Sequence, residues 1–331
     1  MPFQHFLQNL WYGNQPLSMA LMPAAWVYAG LAVLRRQSYV SGLLRQHRVA
    51  EPVVMVGNLS VGGTGKTPLV IWIYKFLLAS GYKPGIISRG YRGRATHWPQ
   101  QVRPDSDPAT VGDEAVVIAR HCRGPMAVGP DRRAAAEALI RHHGCDVIVS
   151  DDCLQHYPLW RDVEIAVIDG VRRHGNGRCL PAGPLREPHA RLGAVDMVVT
   201  NGIAGRGEFS MKYLPQPLRP LREPGGAGTP KVTEVHGVAG IGNPESFFNL
   251  LRAQGYRVHK HRFPDHHAFR RQDIEFNDGL PVVMTEKDAV KCERFAGPLH
   301  YCLPIEAELP QVFGHRLLEL LRRNQHGQKT A

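Results

Sequence analysis

Short apolar runs rich in Val and Ile recur along residues 51–205 and alternate with segments long enough for helices. An apolar run without polar alternation is typical of a strand buried on both faces, as in a parallel sheet covered by helices. The pattern therefore predicts an α/β domain with a doubly wound, mostly parallel sheet. The predicted strands are PVVMVG (52–57), PGIIS (84–88), CDVIVSDD (145–152), VEIAVIDG (163–170) and VDMVVTNG (195–202).

The pattern changes after residue 205. Residues 206–230 are dense in Pro and Gly, and we expect them to form a linker. Residues 231–324 then repeat the alternation of strand and helix on a smaller scale, which predicts a second, smaller α/β domain. We expect the polar tail, residues 325–331, to be disordered.

The first 50 residues have a different character. No Lys, Arg, Asp or Glu occurs in residues 1–34, and residues 17–34 form an apolar run just long enough to cross a bilayer. We expect residues 1–50 to be a helical segment that associates with a membrane, either as a single span or as a helix in the interface. A buried core helix is the alternative, because Pro23 and Gly30 interrupt the run.

Basic residues follow this apolar run rather than precede it. A secretory signal has its basic residues first, so the order argues against a signal peptide. Arginines beside a membrane segment favour the cytoplasmic side and attract anionic headgroups, so we expect the rest of the chain at the cytoplasmic face of the membrane. These arginines are Arg35, Arg36, Arg45 and Arg48.

The formal net charge of the chain is +11. Such a charge favours an anionic partner: a phosphate-rich small molecule, nucleic acid or an acidic membrane surface. The arginines are scattered and no motif combines aromatic with basic residues, so we expect no nucleic-acid partner. The six cysteines include no CxxC pair, which is typical of a protein from a reducing compartment.

A glycine-rich turn follows the first predicted strand and precedes a predicted helix. Its sequence, SVGGTGKT, fits the phosphate-binding loop GxxxxGK[ST] except that serine stands where the first glycine is usual. Glycines let backbone N–H groups turn towards phosphate oxygens, the lysine reaches the outer phosphates, and the threonine can ligate Mg²⁺. The sequence therefore predicts a site for ATP and Mg²⁺ formed by Ser60, Val61, Gly62, Gly63, Thr64, Gly65, Lys66 and Thr67.

Acidic residues and histidines supply the other candidates. Asp151 and Asp152 follow an apolar strand, where a carboxylate can hold the metal of a bound nucleotide. Asp113 is either a helix N-cap or the group that orients or deprotonates the phosphate acceptor. His266 and its neighbour His267 lie between aromatic residues in FPDHHAF, and no second cluster has the spacing of a zinc site.

Nine motifs follow one another along nearly the whole chain: VGNLSVGGTGKTP, ISRGYRG, VGDEA, VGPDRRAAA, SDDCLQH, GNGRCLPAGPLREP, VHGVAGIGNPESFF, FPDHHAF and MTEKDAVK. In this ordered set the chain resembles the tetraacyldisaccharide 4'-kinase family. The resemblance implies two α/β domains joined by a linker, with the active site between them and an N-terminal helix that meets the membrane. It also implies transfer of the ATP γ-phosphate to the 4'-hydroxyl of tetraacyldisaccharide 1-phosphate, forming lipid IVA at the cytoplasmic face of the bacterial inner membrane.

The resemblance also implies residue roles. Lys66 and Thr67 bind the phosphates and the metal, Asp151 and Asp152 hold the metal and the transferred group, and Asp113 is the base with help from His266. The catalytic residues are then Asp113, His266, Lys66 and Asp152. Substrate or phosphate contacts are expected from Arg89, Arg132, Arg186 and Glu187.

One departure from the family pattern stands beside the metal carboxylates. The family usually has glycine where this chain has Cys153, so a positive φ there would strain the backbone, and an accessible thiol would make the enzyme sensitive to thiol reagents. We expect the protein to be monomeric. The alternative function is a P-loop ATPase or GTPase that acts as a membrane-bound switch or assembly factor, but TEKD lacks the spacing of a guanine-binding motif.

Overall fold

The computed structural model describes residues 9–13, 16–91, 93–222 and 232–329, with side chains up to residue 324. In chain order its strands are β1 (Val53–Gly57), β2 (Pro84–Ser88), β3 (Gln100–Gln101), β4 (Met126–Val128), β5 (Val147–Ser150), β6 (Val163–Asp169), β7 (Met197–Asn201), β8 (Phe209–Pro215), β9 (Arg219–Pro220), β10 (Glu234–Ala239), β11 (Arg257–Arg262), β12 (Val282–Thr285), β13 (His300–Leu303) and β14 (Ile305–Glu308).

The described helices flank these strands. They are α1 (Leu17–Ala20), α2 (Met22–Val40), α3 (Lys66–Ala79), α4 (Pro108–Val111), α5 (Asp113–Cys122), α6 (Arg132–His143), α7 (Pro244–Ala253), α8 (Glu286–Cys292) and α9 (Gln311–Lys329). Short 3₁₀ helices occupy His189–Ala194, Arg271–Asp273 and Glu293–Phe295.

The strands form two sheets. The larger sheet has the order β14-β8-β7-β6-β1-β5-β2-β4-β3, and the smaller sheet has the order β11-β10-β12-β13-β9. All neighbours pair in parallel except β3, β9 and β14, which pair antiparallel at sheet edges. We call the larger sheet with its helices the first unit, and the smaller sheet with α7 and α8 the second unit. The predicted α/β fold with a doubly wound, mostly parallel sheet is confirmed.

The core of the first unit lies on both faces of β1, as the unbroken apolar run predicts. Alternate residues of a strand point to opposite faces. Val54 and Val56 therefore pack against α3 and α5, whereas Val53 and Met55 pack against α6. The chain runs from β1 to β2 on one side of β1 and later reaches β6 on the other side. The carboxyl end of β1 is thus a topological switch point, where α/β sheets bind ligands.

The two sheets do not divide the chain at the predicted domain boundaries. The division into domains itself stays a prediction. The segment predicted as a linker contributes β8 to the first sheet and β9 to the second. After the second unit the chain returns, since β14 pairs with β8 and the buried residues Phe313, Leu317 and Leu321 of α9 join the core around Val54. Helix α9 continues to Lys329, into the segment predicted to be disordered.

The N-terminal apolar run divides into α1 and α2, and Pro23 lies in the first turn of α2. No helix in the described ranges is long and apolar enough to cross a membrane. Ala25 is the single buried residue of α2, so the alternative of a buried core helix is wrong. Five large apolar side chains of α2 are more than 60% exposed: Trp26, Val27, Leu31, Leu34 and Val40.

We expect Leu317→Ala to lower the free energy of unfolding by about 2 to 5 kcal/mol, because the side chain is fully buried in the core of the first unit. Val312→Ala is the matched control on the same helix, since Val312 is 59% exposed and its loss should change stability by less than about 0.5 kcal/mol. Urea unfolding followed by circular dichroism measures both. Equal urea midpoints for the two variants would show that α9 is not packed on the first unit.

Candidate active site

The phosphate-binding loop joins β1 to α3. Its glycines at positions 62 and 65 have φ of +112° and +96°, a region that side chains other than glycine adopt only with strain. Space is a second constraint at Gly65, because a Cβ atom there would lie 2.3 Å from Tyr213 Oη. Ser60 has no positive φ and bridges to Leu185 in extended pairing. Serine can therefore occupy the place of the first glycine without backbone strain.

Asn58 holds the loop from inside. Its Nδ2 donates to the carbonyl oxygens of Ser60 at 2.7 Å and Gly62 at 3.3 Å, and its Oδ1 accepts from Lys66 Nζ at 3.3 Å. Lys66 Nζ also lies 3.4 Å from Asp152 Oδ1. The lysine that the sequence assigns to phosphate binding is thus fixed between the loop and the end of the neighbouring strand.

Asp151 and Asp152 follow β5, which is adjacent to β1. Asp151 is 1% exposed and its Oδ1 has no hydrogen-bond partner. Burial, followed by the nearby carboxylates of Glu114 and Asp152, raises the pKa of Asp151. Burial also acts to raise the pKa of Asp152, but Lys66 and Arg186 outweigh it, so that this pKa is lowered. Asp152 is therefore the ionised partner of the two cations.

Asp113 and His266 meet across the two units, with 3.1 Å between Asp113 Oδ2 and His266 Nδ1. Asp113 is the first residue of α5 and Gly112 is its N-cap, so the capping role considered for Asp113 is wrong by one position. Burial raises the pKa of Asp113, but the hydrogen bond to His266 and the charge of Lys287 prevail and lower it to about 2. Asp113 is therefore a carboxylate at neutral pH.

Four charged residues around this pair were given no role from the sequence. Lys287 Nζ lies 3.0 Å from Glu114 Oε1, 3.1 Å from Asp265 Oδ1 and 3.2 Å from His266 Nε2, while Lys291 Nζ lies 3.6 Å from Asp113 Oδ2. Glu114 adjoins Asp113, Asp265 adjoins His266, and both lysines lie one turn apart in MTEKDAVK. The spacing of those lysines on one helix face was the signal available in the sequence.

A cleft of about 1200 Å³ brings the predicted site together. Its lining includes the loop glycines with Lys66 and Thr67 from the first unit and His266 and Lys287 from the second. Helix α2 adds Tyr28, Leu31, Ala32 and Arg35 to the same wall. Ser60, Thr64, Asp113 and Asp151 are buried behind the lining residues.

The residues predicted to contact substrate fall into two groups. Arg89 and Arg186 line the cleft, and Arg186 reaches Asp152 at 3.4 Å. Arg132 and Glu187 also line it but are only 6% and 3% exposed. Arg132 donates to the carbonyl oxygen of Pro130 at 2.8 Å, and Glu187 accepts from Tyr157 and Gln155. Their side chains are thus committed to contacts within the protein.

Cys153 does not have the conformation that would strain it. The positive φ of this segment falls on Asp152, at +50°, and not on Cys153. The Cys153 thiol is fully buried, accepts from Arg132 Nε at 3.4 Å and donates to the carbonyl oxygen of Asp151 at 3.1 Å. Burial raises the pKa of this thiol, so the expected sensitivity to thiol reagents does not fit the structure.

We expect Cys153 to resist alkylation by iodoacetamide in the folded protein at pH 8, because reagent cannot reach it and little thiolate is present. Peptide mass spectrometry after brief labelling measures the modified fraction. The same protein unfolded in guanidinium is the control, in which the Cys153 peptide should be fully labelled. Rapid labelling of the folded chain would contradict the buried thiol.

Comparison with known proteins agrees with this geometry. Residues 17–322 match the profile of the family described as LpxK, tetraacyldisaccharide-1-P 4'-kinase. A tetraacyldisaccharide 4'-kinase from Nitrosococcus oceani is 51% identical over 97% of this chain and 96% of its own, and one from Alkalilimnicola ehrlichii is 53% identical over 92% of both. A crystal structure of LpxK from Aquifex aeolicus in complex with ATP superimposes with a TM-score of 0.76 and 25% identity, covering 92% of this chain and 99% of that one. The chain therefore belongs to the tetraacyldisaccharide 4'-kinase family.

Proposed function

We propose that the protein transfers the γ-phosphate of ATP to the 4'-hydroxyl of tetraacyldisaccharide 1-phosphate, giving lipid IVA in lipid A biosynthesis. The observation that carries this proposal is the shared cleft, where a phosphate-binding loop on one unit faces a carboxylate–histidine pair completed by the other. The relatives' name, tetraacyldisaccharide 4'-kinase, and the ATP of the Aquifex aeolicus complex support the acceptor and the donor.

The residues beside the loop fit Mg²⁺. Asp151 Oδ1 and Thr64 Oγ1 are buried without hydrogen-bond partners, an arrangement that a cation with its bound water can satisfy. No three acidic, histidine or cysteine side chains cluster around a metal position in the described residues. Mg²⁺ on a nucleotide needs only one or two protein carboxylates, because phosphates and water complete its shell. Thr67, Asp151 and Asp152 would hold it, and when bound it neutralises charge on the phosphates.

Asp113 is proposed to accept the proton of the sugar hydroxyl. Phosphoryl transfer passes through a loose transition state in most analyses, so correct placement of the acceptor matters more than a strong base. A carboxylate with a pKa of about 2 can serve in this way, as the catalytic aspartate of protein kinases does. Lys66 would stabilise the charge of the outer phosphates, and Asp152 keeps Lys66 in place.

Of the four residues expected at the substrate, two are proposed to contact phosphate directly and two to hold neighbouring residues in place. Arg89 and Arg186 face the cleft and can bind phosphate oxygens in a bidentate manner. Arg132 and Glu187 act through their neighbours, because Arg132 holds the segment of Cys153 and Glu187 holds Tyr157 and Gln155.

Helix α2 is proposed to bring the cleft to an anionic membrane surface, at the cytoplasmic face of the bacterial inner membrane. Leu31 both lines the cleft and is 61% exposed, so the apolar surface of α2 is continuous with the cleft wall. An acylated acceptor could leave its chains partly in the lipid while its sugar enters the cleft. A monomer suffices for this arrangement.

Transfer of labelled γ-phosphate from magnesium ATP to purified tetraacyldisaccharide 1-phosphate in detergent micelles tests the function. We expect a labelled lipid from the wild type and none from Lys66→Ala. Asp113→Ala should lower kcat by about 100- to 10,000-fold while leaving ATP affinity unchanged, because it removes the proton acceptor and not a phosphate contact.

The acceptor assay also decides between the proposal and a membrane-bound ATPase or GTPase switch. Hydrolysis of nucleotide without any lipid product, by protein that is folded and binds ATP, would favour the switch. Near-normal transfer by Asp113→Ala would place the base elsewhere.

Replacing Trp26, Val27 and Leu34 with serine should weaken binding to anionic vesicles at least about tenfold, since burying a large apolar side chain contributes about 1.5 to 3 kcal/mol. The three residues are 64 to 66% exposed, so the fold should survive. Co-sedimentation with phosphatidylglycerol vesicles measures binding. The matched control replaces Leu78, Leu299 and Val312, which are 40 to 59% exposed elsewhere. Equal losses in both triple variants would argue against α2 as the membrane contact.

A further inference from the structure

The second unit places the ammonium group of Lys287 beside the Asp113–His266 pair. All three N–H donors of this group have partners. Lys287 Nζ has three partners within hydrogen-bond distance: Glu114 Oε1 at 3.0 Å, Asp265 Oδ1 at 3.1 Å and His266 Nε2 at 3.2 Å. An ammonium group has three N–H donors and no acceptor. Each of these three atoms must therefore accept a hydrogen bond from Lys287.

The three hydrogen bonds of Lys287 determine which nitrogen of His266 carries the proton. If Nε2 accepts from Lys287, the proton of the neutral imidazole is on Nδ1, because a neutral histidine has one donor and one acceptor nitrogen. Nδ1 faces Asp113 Oδ2 at 3.1 Å, so His266 donates to the carboxylate. The other oxygen of Asp113 accepts from the backbone N–H of Glu114 at 2.9 Å.

We propose that Lys287 is a positioning residue that holds His266 in its neutral, Nδ1-protonated form and so keeps Asp113 as the proton acceptor. The proposal rests on the kinase function proposed above. It changes the role given to His266 from the family resemblance: the imidazole orients Asp113, and its Nε2 is closed to a second proton while the ammonium group occupies it.

The surroundings of Lys287 keep it charged. Burial lowers its pKa, but the carboxylates of Glu114, Asp265 and Asp113 outweigh this and raise the pKa above its ordinary value. Around His266, the charged groups are Asp113 and Glu114 on α5, Lys287 and Lys291 on α8, and Asp265 on its own loop. The ring of Tyr91 lies 5.1 Å from the imidazole. Without Lys287, three carboxylates would favour protonation of His266.

The test is the dependence of kcat on pH for Lys287→Met, Lys287→Arg and wild type. In Lys287→Met, His266 should take up a proton at Nε2, form an ion pair with Asp113 and weaken it as an acceptor. A histidine with the ordinary pKa of about 6.5 is about three-quarters protonated at pH 6. We therefore expect the ratio of kcat at pH 6 to kcat at pH 8.5 to be about fourfold lower in Lys287→Met than in wild type. Lys287→Arg should largely restore the wild-type profile, and KM for ATP should stay the same.

The alternative role of Lys287 predicts the opposite sign. If it only lowered the proton affinity of Asp113 by its charge, Lys287→Met would make Asp113 a better acceptor and would not lower kcat selectively at acid pH. A profile parallel to wild type would overturn the proposal. Lys260→Met is the matched control, because Lys260 also pairs with a carboxylate of the second unit, Glu245 at 2.8 Å, but does not line the cleft.

A second measurement does not depend on activity or on the folding of Lys287→Met. Nitrogen-15 NMR of histidine-labelled wild type, with His266→Gln to assign the signal, reports the tautomer directly. We expect Nδ1 to be protonated and Nε2 unprotonated at pH 8. An Nε2–H tautomer or an imidazolium at pH 8 would overturn the proposal even if lipid phosphorylation is established. Lack of lipid product would refute the proposed function alone.

Discussion

The geometry of the site depends on the contact between α5 of the first unit and α8 with its neighbours in the second. Residues seven positions apart return to the same face of a helix after two turns. Helix α5 therefore presents both its first and its last turn to the second unit. Near its N-terminus it presents Asp113 and Glu114, and at its C-terminal end it presents Arg120 and His121. The pairs across the two units are Asp113 with His266, Glu114 with Lys287, Arg120 with Glu293 and His121 with Glu286.

Apolar packing and chain connectivity support these charge pairs. Val290 projects from α8 into the core of the first unit, whereas Ala289 and Cys292 of the same helix pack under the second sheet. The chain also crosses between the sheets twice, at β8–β9 and again at β13–β14. Partly exposed ion pairs contribute little stability singly, but placed on helices that share a core they fix orientation. The 3.1 Å distance between Asp113 and His266 therefore follows from contacts distributed over the interface.

Strands in the middle of the larger sheet were easier to predict from the sequence than strands that are only partly buried. The two neighbours of β1, β5 and β6, are nearly continuous apolar runs, and they were predicted closely. In β8 only Met211 is buried, and β14 alternates half-buried and exposed residues, so the hydrophobic pattern of these two strands is weak. The Pro-rich segment that contains β8 was therefore interpreted as a linker. The phosphate-binding loop was found because its chemistry is local. The spacing of Lys287 and Lys291 places both lysines on one helix face, but it does not indicate their partners. The contact of Lys287 with Glu114 spans 173 residues and depends on the tertiary fold.

Two residues of the site have backbone conformations that non-glycine residues rarely adopt, Asp152 with φ of +50° and His266 with φ of +59°. Such conformations cost about 1 to 3 kcal/mol each and persist where the surroundings hold them. Asp152 is held by Lys66 and Arg186, and His266 by Asp113 and Lys287. Both strained residues are thus held by hydrogen bonds or ion pairs with charged side chains. A loose phosphoryl transition state demands placement of charge more than basicity. The contacts that hold the backbone at Asp152 and His266 also fix the positions of Lys66 and Asp113, the charged groups of the proposed reaction.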